Sequence, residues 1–199
     1  MSQPVRQPWS VEAFFAWQER QSERYELVGG FPLKLMAGAS NAHDRMVVNL
    51  LLALGNRLRG SACRPFTGDG SVETYPGQIR RPDVGVDCGR FDPGGFKASD
   101  PRVVAEVLSP STRDFDAFAK LAEYQAVPTI SHVLLVEPNA AEVALWSRND
   151  EGGWIASRTE GLESVVELPT IGVTLPMSEI YDGITFPSGP VRLVSSEPR

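Results

Sequence analysis

Residues 103–108 read Val-Val-Ala-Glu-Val-Leu. Short length and β-branching predict a strand there. Neither face alternates to polar, so the strand is expected to be buried on both sides, as a central strand is. The Glu106 carboxylate is then costly unless a cation or hydrogen bonds compensate it. This requirement organises the stretch from residue 79 to 124. The preceding run, Ile79 to Asp87, reads as a strand carrying Asp83. Pro82 has no amide donor, so this strand lies at an edge or is just beginning there. Neighbouring strands would bring Asp83 and Glu106 within reach of one cation. Ser109-Pro110-Ser111-Thr112 breaks the central strand, and a helix follows. On it Asp116, Lys120 and Tyr124 share a face at spacing four. Phe115, Phe118 and Leu121 or Ala122 make its apolar stripe. Lys120 is thereby directed at the carboxylates.

Upstream, Ser10 caps a first helix through Phe14, Phe15 and Trp17. Gly29-Gly30 separates Tyr25–Val28 from Phe31–Met36, a hairpin signal. Glu26 lies on that hairpin, where two readings stand: an exposed strand residue, or an extra carboxylate at the site. Ser40 caps a long helix over 41–59, with Met46, Val47, Leu50, Leu51, Leu54 and Leu58 as its stripe and Gly60 as its stop. His43 falls on the inward side of this helix. It reads either as a hydrogen-bonded core histidine or as a proton carrier or substrate contact, and the helix N-terminus predicts a neutral ring. Residues 62–75 read as a strand interrupted at Gly68-Asp69-Gly70, and 87–100 as a loop. Strands follow at His132–Val136, Val143–Ser147, Trp154–Thr159 and Val165–Leu168, then a helical turn at Met177–Tyr181. His132 and the four tryptophans read as structural. The reading is one domain over 1–186 with a mobile tail over 187–199.

A chain of 199 residues with 42% hydrophobic and 22% charged side chains suits a folded soluble domain. No apolar run approaches the ~20 residues of a membrane helix, and the N-terminus lacks the order of a signal peptide. Cys63 and Cys88 have no CxxC spacing, which fits reduced thiols in a cytoplasm. The net charge is −6, but it is uneven: residues 57–113 are net +2 and residues 114–199 net −8. The only positive segment holds Asp83 and Glu106. Arg57, Arg59, Arg64, Arg80, Arg81, Arg102 and Arg113 are candidates to meet phosphates there; a solvated surface with ordinary ion pairs is the other reading.

An Asp, a Glu on the next strand and a nearby Lys form the pattern of a metal-dependent phosphodiesterase. The stretch resembles the PD-(D/E)XK nuclease superfamily, and more closely the Uma-two family of restriction endonuclease-like proteins. Arg81-Pro82-Asp83-Val84, the run Glu106 to Thr112, Asp116, Lys120 and Tyr124 carry the resemblance. Arg24-Tyr25-Glu26-Leu27-Val28 and His43 also match. The superfamily's Lys would fall at position 108, which is Leu; in the Uma-two-like pattern it has moved to Lys120. The likeness implies an α/β fold with a restriction endonuclease-like mixed central sheet flanked by helices, with additional antiparallel strands. It implies catalytic roles for Asp83, Glu106, Lys120, His43 and Glu26. Asp83, Glu106 and the Val107 carbonyl would hold the metal, Mg²⁺ or Mn²⁺.

The leading expectation is therefore a cytoplasmic, Mg²⁺-dependent endonuclease acting on double-stranded DNA, with a homodimer as its assembly and no membrane partner. Mg²⁺ typically uses one or two carboxylates plus waters, which suits so small a carboxylate set. One rival is a catalytically idle nuclease fold serving as a DNA-binding or protein-interaction module. The other is a structural protein in which Asp83 and Glu106 pair with Arg80, Arg81 or Arg102.

Overall fold

The structure, a computed structural model, describes residues 7–35, 40–109 and 116–186. The Ser10 hydroxyl accepts the Ala13 amide at 3.2 Å and starts α1 (Val11–Gln18). Phe14 and Phe15 of α1 bury against Leu27 and Ile79. A hairpin of β1 (Tyr25–Val28) and β2 (Phe31–Lys34) follows. It turns at Gly29 and Gly30, whose φ angles of 58° and 82° are open to glycine without strain. Ser40 caps α2 (Asn41–Arg57) by accepting the His43 amide at 3.2 Å. The interrupted strand is β3 (Arg64–Thr67) and β4 (Val72–Tyr75).

The run from Ile79 to Asp87 is not one strand. It divides into β5 (Gln78–Arg80) and β6 (Val84–Asp87), which belong to different sheets. Pro82 and Asp83 form the joint, so Asp83 lies just before β6 and not on a strand as expected. Pro82 donates to neither ladder, which is why the chain can change sheets there. The central strand is β7 (Pro101–Val107), followed by α3 (Asp116–Ala126), β8 (His132–Glu137), β9 (Glu142–Arg148) and β10 (Trp154–Glu160). Last come β11 (Val165–Leu168), β12 (Val173–Pro176) and α4 (Met177–Ile180).

These strands form a six-stranded sheet in the order β10-β9-β8-β7-β6-β3, an antiparallel four-stranded sheet β2-β1-β5-β4, and the hairpin β11-β12. In the large sheet only β7 and β8 run parallel, and α3 lies in the connection between them. Because side chains alternate along β7, the helices meet opposite faces of it. Met46, Leu50 and Leu54 of α2 pack with Val103, Ala105 and Val107. Leu121 and Tyr124 of α3 pack with Val104 and Val133. Glu106, in step with Val104, faces α3. The apolar partners expected at Phe115 and Phe118, the pairing of Asp116 with Lys120, Arg113 and the tail over 187–199 lie outside what the structure describes.

Cys63 and Cys88 form a disulfide, which corrects the expectation of two reduced thiols. The β3–β6 ladder pairs Arg64 with Asp87 and so sets the flanking cysteines face to face. Their distance in sequence conceals this. The cytoplasmic assignment loses that support. Among the described residues no helix is long and apolar enough to cross a membrane.

His132 is structural as expected. It is buried, its Nδ1 lies 3.0 Å from the Ser147 hydroxyl, and burial pushes its pKa down to about 4. The unfolded chain takes up a proton near pH 6.5 that the folded chain refuses until about pH 4. His132 should therefore lose roughly 3 kcal/mol of its contribution to stability as pH falls across that window. Urea denaturation of wild type and His132→Gln from pH 7 to pH 4 checks this through the difference between the two. A difference that does not change with pH would show that His132 is not held neutral.

Candidate active site

The site lies at the end of β7, where the two helices approach from opposite faces of the sheet. Asp83 stands at the joint before β6. Since Val84 pairs with Ala105, Asp83 is brought level with Glu106. The Val107 amide donates to Asp83 Oδ2 at 2.8 Å, so the Asp83 carboxylate touches the residue next to Glu106. From the α2 side, His43 Nε2 lies 3.2 Å from the same Asp83 oxygen.

This geometry works against the neutral His43 expected from the helix N-terminus. The hydrogen bond to Asp83 raises its pKa above the usual 6.5, against the opposing effect of burial. A carboxylate in contact outweighs the partial charge of a helix N-terminus, which is worth only ~0.3–1 kcal/mol at an exposed site. Nδ1 of the ring is buried and without a partner among the described residues.

From the α3 side, Tyr124 donates its hydroxyl to Glu106 Oε1 at 2.7 Å, and Lys120 Nζ lies 3.7 Å from the same oxygen. Burial is the main reason that the Glu106 pKa is pushed up to about 7. Asp83 and Glu26 add to the rise, while Lys120 and the Tyr124 hydrogen bond oppose it. Tyr124 itself is fully buried, and burial drives its pKa well above 10.

Glu26 is not an exposed strand residue. It is 1% exposed and lies beside the site: Lys120 Nζ is 3.5 Å from its Oε1, which also accepts the Arg81 amide at 3.0 Å. Its other oxygen accepts from Arg80 Nη1 at 2.8 Å. The structure thus brings together all five side chains picked out by sequence: Asp83 and Glu106 with His43 on one side and Lys120 and Glu26 on the other.

The arginines behave differently. Arg80 and Arg81 are buried, Arg57 pairs with Glu179, Arg64 with Asp87, and Arg102 with Asp100. Five of the seven candidate arginines are thus engaged within the protein, which favours the reading of ordinary ion pairs. Among the described residues no arginine pairs with Asp83 or Glu106, as the structural rival requires. Sequence reasoning gave no site role to Glu123 or Tyr124, and it did not foresee Arg80 buried between Glu26 and Glu123. Their signal was the spacing of Lys120, Glu123 and Tyr124 at i, i+3 and i+4, one face of one helix.

Among the described residues no three His, Cys, Asp or Glu side chains form a metal cage. Two carboxylates and a carbonyl are what the chain offers, enough for a cation that keeps waters. Two observations fit a cation here. Asp83 Oδ2 faces His43 Nε2 at 3.2 Å and accepts the Val107 amide at 2.8 Å, so this oxygen already gathers positive partners. Glu106 is a carboxylate whose own neighbours leave it undercompensated.

The profile of a family described as "Uma2: Putative restriction endonuclease" matches residues 11–178. The chain belongs to the Uma2 family. An uncharacterized Synechocystis protein, slr1290, is 32% identical to this Uma2 chain over 182 residues, covering 89% of it and 93% of the relative. A second uncharacterized Synechocystis protein, sll1609, is 25% identical over 158 residues, covering 75% of this chain and 86% of the relative. Among solved structures, a protein from Anabaena variabilis described as a "putative nuclease belonging to DUF820" superposes with a TM-score of 0.66. It is 13% identical, and the match covers 87% of this chain and 97% of that one. The shared fold bears out the expected nuclease-like mixed sheet with added antiparallel strands. The Uma2 match spans α1 through the start of α4, so every side chain of the site falls within it.

Proposed function

We propose that this Uma2 protein is a metal-dependent endonuclease that hydrolyses phosphodiester bonds in DNA. The observation that carries the reading is the convergence of Asp83, Glu106 and the Val107 backbone with His43 and Lys120 at the end of the central strand. Membership in a family described as "Putative restriction endonuclease" supports the nuclease part of it.

In this reading Asp83, Glu106 and the Val107 carbonyl hold a divalent cation, Mg²⁺ or Mn²⁺. Such an ion, when bound, supplies a water of lowered pKa and neutralises phosphate charge. The protein's own groups do the rest. Tyr124 orients Glu106 through a 2.7 Å hydrogen bond. Lys120, on the face opposite His43, offers an ammonium to charge developing on the phosphoryl oxygens. Glu26, flanked by Lys120 and Arg80, helps to aim that ammonium. His43, paired with Asp83, is placed to hold a proton and to pass it to a departing oxygen once the site is filled. A homodimer cutting one strand per protomer is the assembly that fits duplex DNA.

Incubation of the protein with mixed double-stranded DNA, single-stranded DNA and RNA, with Mn²⁺ or with EDTA, tests the proposal. Cleavage of duplex DNA that EDTA stops is the expected result. Retention of DNA without cleavage at any metal concentration would turn the reading to an idle, DNA-binding nuclease fold.

A further inference from the structure

A line of alternating charge runs through the interior from α3 to the site. Glu123 accepts two bonds from Arg80, Nε to Oε2 at 2.7 Å and Nη2 to Oε1 at 2.6 Å. Arg80 Nη1 reaches Glu26 at 2.8 Å, Glu26 meets Lys120 at 3.5 Å, and Lys120 meets Glu106 at 3.7 Å. Each cation sits between two carboxylates. The Arg80 and Glu123 side chains are 5% and 13% exposed. Burial opposes the charge on Arg80, but Glu123 and Glu26 outweigh it and its pKa is raised. Thr74 adds a hydroxyl bond to Glu123 at 3.2 Å.

The bond lengths divide this line into a tight half and a loose half. The Arg80–Glu123 fork has the short, paired geometry of a charge-assisted bidentate contact. The Lys120 contacts with Glu26 and Glu106, at 3.5 and 3.7 Å, are longer than the ~2.7–2.9 Å of such bonds. Lys120, Glu123 and Tyr124 share one face of α3. A tether at Glu123 therefore fixes the height and rotation of both groups that reach Glu106. A buried ion pair adds little stability over packed apolar groups, so stability alone does not account for placing one here.

We infer that Arg80 and Glu123 are positioning residues: their buried fork pins α3 to β5 so that Lys120 and Tyr124 face Glu106. The inference rests on the proposed role of Lys120. Its test must therefore separate failure of the tether from failure of the nuclease reading. The chain has three lysines, Lys34, Lys97 and Lys120. The first two are about half exposed and Lys120 is 13% exposed. Lysine labelled with ¹³C at Cε thus gives three NMR signals, assigned by single Lys→Arg variants, and the Lys120 signal reports its surroundings without any assay of activity.

In Glu123→Gln, which keeps the shape and loses the charge, the Lys120 signal should move toward those of the exposed lysines. Turnover should fall ~10- to 10²-fold, as a small misplacement of a reacting group does. KM and Mn²⁺ affinity should stay within about twofold of wild type, because neither substrate nor metal is held by Glu123. Glu123→Asp, which keeps the charge, should recover part of the loss, and it serves alone if Glu123→Gln does not fold. An unmoved Lys120 signal in a folded variant overturns the inference, whatever happens to turnover. If the wild type cleaves nothing, the nuclease reading fails, and the Lys120 signal still decides the tether.

Discussion

Glu106→Gln is expected to lose metal-dependent cleavage and to gain stability at alkaline pH. The loss follows from removing one of two carboxylates at the site. Several kcal/mol of transition-state stabilisation depend on a bound cation, so the rate should fall roughly 10³-fold or more. The gain follows from the sign of the Glu106 shift. Its pKa rises from 4.5 to about 7 on folding, mainly through burial. The stability tied to its proton is complete below about pH 4.5 and is lost as pH rises through 7. A glutamine is neutral throughout and still offers an oxygen to the Tyr124 hydroxyl. In urea denaturation without metal, the variant should therefore exceed wild type by up to about 3 kcal/mol at pH 8, and by little at pH 4. A site that trades stability for function behaves in this way. Asp83→Asn should share the loss of cleavage. Equal stability of Glu106→Gln and wild type at pH 8 would show that the carboxylate is compensated without a metal and would weaken the case for one.

Most strands and helices were legible because their signals are local. Ser10 and Ser40 cap the helices predicted from them, and the Gly29-Gly30 turn makes the expected hairpin. The unalternating run at 103–108 proved to be the central strand, ending one residue early at Val107. What local pattern cannot supply is which strand belongs to which sheet. Ile79 to Asp87 has a strand's composition throughout, yet Arg80 and Val84 sit in different ladders. β12 was missed because Val173–Pro176 ends in proline and gains its partner only through the turn at Gly172. The disulfide was hidden for the same reason, since it depends on the pairing of β3 with β6.

At the site, the residue types were legible and the charges were not. Asp83, Glu106 and Lys120 follow from the cost of a carboxylate in an apolar strand and from helix spacing. The state of His43 does not, because its position in α2 says nothing of the Asp83 oxygen at 3.2 Å. Arg80 misled for a similar reason. Arginines are mostly exposed, and only the paired carboxylates of Glu26 and Glu123 make a buried one tolerable. Both corrections concern long-range partners, which set pKa and burial and leave no local trace.

Lys120→Ala is expected to cut turnover by ~10²–10³ while leaving the fold and metal affinity nearly intact. The fold should survive because Glu26 keeps Arg80 and the Arg81 amide when the ammonium is gone. Metal affinity, compared at a pH where Glu106 is ionised in both proteins, should survive because Lys120 is on the α3 side and touches only Glu106 of the proposed ligands. Glu106 would lose the largest favourable influence on its charge, so its pKa should climb further above 7. The rise of activity with pH should move upward in the variant, which an inert surface lysine would not cause. Lys120→Arg should also be impaired, since a planar guanidinium cannot take the place of a compact ammonium between Glu26 and Glu106. Position offers a second check. Residue 108 lies two beyond Glu106 and so on the same side of the chain. Leu108→Lys combined with Lys120→Ala would return an ammonium to Glu106 from the strand, and partial recovery of cleavage is expected. Cleavage by Lys120→Ala at the wild-type rate would remove Lys120 from the chemistry and leave Asp83 and Glu106 to act without it.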